Sequence, residues 1–126
     1  TCLSYSPIIE YNLMDTGLWH YDRSYHPDFF TTRQCKLWTD LYDQNQYAEL
    51  MQVKQNTKYL RAGISTTLSY NNCILLLSFA TKSKHPEAGR RLLEAHAELI
   101  KMGRYCFQNI SHLFMPYLIA NTAKFS

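Results

Sequence analysis

The chain has 126 residues, 46% of them apolar, 14% aromatic and 18% charged, with a net charge of +3. That length fits one domain with a single core, and the apolar content excludes a disordered chain. Four glycines and four prolines are too few for the many tight turns of an all-β sandwich.

Pro7 opens a first helical segment over 6–20, with Ile8, Ile9, Leu13 and Leu18 as its apolar stripe and Gly17 near its end. The aromatic stretch 19–27 reads as a loop or short turn. Asp28, an N-cap residue type, starts a second helix on which Cys35, Trp38, Leu41 and Tyr42 share a face. The polar run 43–46 breaks it. The spacing of Leu50, Val53, Leu60, Ile64, Leu68 and Leu75 then predicts one helix over 46–79, roughly 50 Å long. Gly63, Thr66 and Thr67 are its weak points. Its last part, 70–80, is apolar all round and is either central or exposed for a reason. A linker over 81–85 leads to Pro86 and Glu87, which open the next helix. Ala88, Leu92, Ala95, Leu99 and Met102 form the clearest amphipathic stripe, and Gly103 ends or bends that helix. A last segment carries Tyr105, Ile110, Leu113, Phe114, Tyr117 and Leu118, with Pro116 beginning a short terminal helix. The expected architecture is all-α: a compact bundle of about five helices with one very long helix, in a single helical domain over 1–126.

Cys2, Cys35, Cys73 and Cys106 are far apart, so the paired spacing of zinc or redox sites is absent. Four cysteines permit two disulfides in three connectivities; the alternative is that Cys35, Cys73 and Cys106 are reduced core residues. The chain starts at Thr1 without an apolar leader and has no run of 18 or more apolar residues. A trimmed secreted protein and an excised piece both look like this. Asn109-Ile110-Ser111 matches a glycosylation acceptor.

Nothing in the sequence assembles a catalytic centre. His20, His26, His85, His96 and His112 lie outside any nucleophile or metal signature, Glu94 and His96 miss the spacing of di-iron bundles, and no glycine-rich phosphate loop occurs. The chain is therefore expected to be non-enzymatic, with no cofactor and no metal.

Charge carries more information. Residues 1–45 hold three basic and six acidic side chains; residues 46–126 hold ten basic and four acidic ones. The basic part suits an anionic partner, but no nucleic-acid-binding pattern accompanies it. Lys54, Lys58 and Arg61 fall at i, i+4 and i+7 as an outward track, and Arg90 and Arg91 add charge near Lys82 and Lys84. These five residues (Lys54, Lys58, Arg61, Arg90 and Arg91) are the expected binding surface. Ten tyrosines exceed what such a core needs, which places some of the rings at an interface.

The succession Cys35-Lys36-Leu37-Trp38, Gln52-Val53-Lys54-Gln55-Asn56-Thr57-Lys58-Tyr59-Leu60, Ala88-Gly89-Arg90-Arg91-Leu92 and Met115-Pro116-Tyr117-Leu118 resembles the abalone sperm acrosomal proteins, lysin and its fusion-associated paralogue. The resemblance spans about residues 33–120 and rests on the order of these motifs. It implies a five-helix bundle, release from the sperm acrosomal vesicle and non-enzymatic action on the egg. The chain is less basic than lysin and carries cysteines, which favours the paralogue. The implied function is promotion of sperm–egg membrane fusion through basic and exposed apolar surfaces. The implied partner is egg membrane lipid or an egg-envelope glycoprotein, met peripherally by a monomer or weak homodimer. One alternative is lysin-like dissolution of the egg vitelline envelope by stoichiometric binding. The other is a helical interaction domain of an intracellular regulatory protein, which free thiols favour.

Overall fold

The computed structural model describes residues 7–31 and 33–125, with side chains to residue 113 apart from Thr57. The chain runs through α1 (Pro7–Asp15), two 3₁₀ turns (Leu18–Tyr21 and Arg23–Tyr25), α2 (Pro27–Thr31), β1 (Cys35–Leu37) and α3 (Trp38–Leu41). It continues through α4 (Tyr47–Lys58), β2 (Ala62–Tyr70), β3 (Cys73–Thr81), α5 (Ala88–Glu94) and α6 (His96–Phe125). The expected all-α bundle is not the fold. An antiparallel sheet in the order β1–β2–β3 separates two helical layers, giving a mixed α/β architecture.

The helix expected over 46–79 is α4 followed by a β-hairpin. α4 ends where Tyr59 turns left-handed (φ 59°) and its N–H reaches the carbonyl of Gln55. Beyond it, Leu60, Ile64 and Leu68 are four apart, a spacing that keeps one face in a helix and also in a strand. The intervening residues decide the period. Gly63, Ser65, Thr67 and Ser69 alternate with Ala62, Ile64, Thr66, Leu68 and Tyr70, and the β-branched members favour the extended chain. Asn71 and Asn72 then both take positive φ, 45° and 65°, the two-residue type I′ turn that matches strand twist. The apolar run that follows is β3, paired as Leu68↔Leu75, Thr66↔Leu77 and Ile64↔Phe79.

The two faces of the sheet differ in what covers them. On one face, the small β2 residues Gly63 and Ser65 lie beneath Trp38, whose Nε1 donates to Ser65 Oγ at 3.2 Å; Ser65 also meets Ser78 Oγ at 2.8 Å. Here α1 to α4 assemble the core of Ile9, Leu13, Phe29, Trp38, Leu41, Tyr42, Leu50 and Met51. On the other face, α5 and α6 cover the larger side chains. A Cβ on Gly89 would stand 3.2 Å from Leu37 Cδ2, and one on Gly103 only 2.9 Å from Leu77 Cδ1. Gly103 therefore neither ends nor bends the helix; it lets α6 lie close against β3. Tyr70 meets Phe107 edge-on, with centroids 5.1 Å apart.

Other expectations change in detail. Gly17, left-handed at φ 75°, does follow the first helix, and the aromatic stretch after it forms the two 3₁₀ turns. The helix expected from Asp28 breaks into α2, β1 and α3, so Cys35 sits on the sheet while Trp38, Leu41 and Tyr42 are buried together. The stripe from Ala88 to Met102 is divided at Ala95, where α5 ends, and Met102 is exposed. Pro116 falls within α6; its side chain and those of Phe114, Tyr117 and Leu118 lie outside the described residues, as does Cys2.

The contact between Trp38 and Gly63 has a direct test. A methyl group at position 63 would overlap the indole, so Gly63→Ala should lower stability by about 1–3 kcal/mol in urea unfolding. Gly89→Ala, facing only the end of the Leu37 side chain, should cost less. Equal stability of Gly63→Ala and the parent chain would remove the indole from this position.

Candidate functional site

Lys54, expected on the surface, is buried on α4 with 6% of its area exposed. Its Nζ donates to Tyr42 Oη and lies 3.5 Å from the centroid of the Trp38 ring and 4.7 Å from that of Tyr42. Trp38 and Tyr42 are stacked at 5.9 Å, so the ammonium rests against two aromatic faces that attract a desolvated cation. The turn residue Asp22 is also buried, and its Oδ1 accepts from Ser24 N at 2.9 Å and from Ser24 Oγ at 2.6 Å. Its backbone bridges to Tyr42. Glu10 of α1 contributes a second carboxylate, whose Oε2 is buried without a hydrogen-bond partner. Burial pushes the Lys54 amine down from 10.5 to about 8, against the opposing pull of Asp22 and Glu10. Burial, then the nearby Asp22 charge, pushes the Tyr42 hydroxyl well above 10.

The other expected surface residues divide into three groups. Lys58 is half-buried and already engaged within the chain. Arg90 is exposed, but its charge is balanced by Glu87 and by Glu94, the latter at 3.2 Å. Arg61 and Arg91 each lie close to Thr81, at the base of the hairpin. The Arg61 N–H donates to Thr81 O at 2.8 Å, and Arg91 shares a groove of about 220 Å³ with Thr81, Ser83, Ala88 and Leu92. Lys82 and Lys84 leave the same strand end and are exposed. Arg61, Lys82, Lys84 and Arg91 make no ion pair among the described residues.

A second exposed feature is the outer face of α6. Met102, Tyr105 and Leu113 are 61%, 68% and 62% exposed and share one face of the helix. Asn109, the expected glycosylation acceptor, uses its side-chain amide to donate to Tyr105 O at 2.8 Å. Cys35, Cys73 and Cys106 are free thiols. Burial raises the Cys35 thiol, and a hydrogen bond with Thr66 partly opposes the rise. Among the described residues no cluster of three or more His, Cys, Asp or Glu is arranged to hold a metal, and no helix is long and apolar enough to cross a membrane.

Sequence reasoning missed the interior charge cluster, although a signal was present. Lys54 lies four residues after Leu50 and three after Met51, on the apolar side of α4. The roles of Asp22 and Tyr42 had no comparable signal, because they depend on how the 3₁₀ turns fold back on α3.

The cluster predicts an unusual pH profile. Below about pH 8 folded and unfolded chains both carry the Lys54 proton, and burying the charge lowers stability. Between about pH 8 and 10 only the folded chain releases it, so stability rises with pH by about 2–3 kcal/mol. Above about pH 10 the unfolded chain releases the Tyr42 proton that the folded chain keeps, and stability falls. Urea unfolding followed by circular dichroism from pH 7 to 11 reads both limbs. Lys54→Met should remove the rising one, and a flat profile in the parent chain would contradict the burial of this charge.

No family model matches the chain, and none of the curated proteins or solved structures compared with it matches either.

Proposed function

We propose that this chain is a non-enzymatic binding domain that docks peripherally on an anionic phospholipid surface. The observation that carries the reading is the placement of Arg61, Lys82, Lys84 and Arg91 around Thr81 at the hairpin base, all exposed and without an ion pair among the described residues. A basic side chain close to an anionic bilayer contributes about 1 kcal/mol. Met102, Tyr105 and Leu113 on α6 add apolar and aromatic area suited to the headgroup boundary. The narrower role, fusion of sperm and egg after acrosomal release, rests on motif order alone. The helical bundle implied along with that role is replaced by a sheet-centred fold. A second reading has its own support: the free thiols of Cys35, Cys73 and Cys106 fit an interaction domain of an intracellular regulatory protein.

Co-sedimentation with phosphatidylserine-containing and pure phosphatidylcholine vesicles tests the proposal. Binding should require the anionic lipid and weaken as salt rises past about 0.1 M. The variant Arg61→Gln/Lys82→Gln/Lys84→Gln/Arg91→Gln, changed only at exposed side chains, should bind roughly a hundredfold or more weakly. Lipid mixing on the same vesicles separates fusion from simple docking. Equal binding to both vesicle types, or an unaffected variant, would overturn the electrostatic reading. Failure on vesicles together with capture of a solubilised egg-envelope glycoprotein would move the function to the lysin-like alternative.

A further inference from the structure

We infer that β3 is a self-association edge, at which two copies of the chain pair antiparallel to form one continuous six-stranded sheet. β3 is the outermost strand, and no described strand pairs with its far side. The two-residue turn makes Tyr70 and Cys73 the hydrogen-bonded pair nearest the turn. Alternation then directs the backbone groups of Cys73, Leu75, Leu77, Phe79 and Thr81 toward β2. Those of Ile74, Leu76, Ser78 and Ala80 point outward.

Edge strands are normally protected from pairing by charges, proline, bulges or brevity. β3 is nine residues long, contains no charge, proline or glycine, and pairs with β2 in unbroken register. One antiparallel register uses all four outward residues at once: Ile74 opposite the second copy's Ala80, and Leu76 opposite its Ser78. The two-fold axis then passes beside Leu77. Charge selects this direction. The nearest charges in sequence, Lys82 and Lys84, follow the C-terminal end of the strand, whereas Tyr70, Asn71 and Asn72 precede its start and are neutral. Antiparallel pairing sets Lys82 beside Asn72, and parallel pairing would set it beside its own copy. The same pairing covers Ile74, which is 51% exposed, with the small side chain of Ala80. The lipid-docking cations lie beyond the strand end, so either conclusion can fail without the other.

Sedimentation equilibrium of the full chain should show a dimer. Ile74→Lys/Ala80→Lys places like charges opposite each other twice and should dissociate it. Ile74→Lys/Ala80→Glu places opposite charges there and should bind at least roughly tenfold more tightly than the double-lysine variant. Both positions are exposed, which leaves folding intact. Amide exchange gives a reading that needs no variant: the N–H groups of Ile74, Leu76, Ser78 and Ala80 should gain protection as chain concentration rises. A monomer at all concentrations, equal behaviour of the two variants, or free exchange of those four amides throughout would overturn the inference.

Discussion

The indole of Trp38 lies on the bare backbone at Gly63, and the N-terminal half of the molecule is organised around that contact. Trp38 begins α3 at the end of β1, so seating its ring fixes the helix against the strand it has just left. Its Nε1 finds Ser65 beneath it, and its upper face holds the Lys54 ammonium. Tyr42 stacks beside it, and Asp22 is drawn in by the bridge to Tyr42. A charge this deeply buried is costly unless partners compensate it. Two aromatic faces, a hydroxyl and two carboxylates supply that compensation from α1, the first turns and α3 with its C-terminal end. The cost that remains appears as the depressed amine of Lys54.

The sheet divides the molecule into layers with different chemistry. Toward α1–α4 it presents the small and hydroxylic residues Gly63, Ser65 and Ser78 together with Leu76, and the layer above contains an enclosed charge. Toward α5 and α6 it presents Ile64, Leu68, Leu77 and Phe79, and the helices settle there through glycine contacts. The docking cations Lys82 and Lys84 emerge at the rim, where β3 runs into the connection before α5. Lys54 is buried in the α1–α4 layer while Lys82 and Lys84 are exposed, so these cations do not form one surface.

How far the residues announce this arrangement depends on whether local periodicity was decisive. Pro7 and Gly17 bracket α1, and the aromatic irregularity after Gly17 is real, because proline and glycine act through local backbone geometry. The hairpin carries a helical signal because Leu60, Ile64 and Leu68 satisfy both periods. The decisive evidence lay in the small residues between them and in the paired asparagines. Lys54 was read as a surface cation because charged residues usually are, although Leu50 and Met51 already pointed its side of α4 inward. Of the expected binding residues, Arg61 and Arg91 lie near Thr81, exposed and without an ion pair among the described residues. The balancing of Arg90 by Glu87 and Glu94 could be anticipated from the i−3 and i+4 spacing.

The turn at Asn71-Asn72 also has a kinetic consequence. It joins β2 to β3 through two residues, so their ladder closes locally, on the microsecond scale of isolated hairpins. β1 must instead meet β2 across all of α3 and α4, pairing Cys35 with Thr66. Closing that longer loop carries more entropy and is repaid only when Trp38 reaches the Gly63 surface. The topology thus makes the hairpin the less costly pairing to close, and the β1–β2 pairing the one that depends on the docking of Trp38.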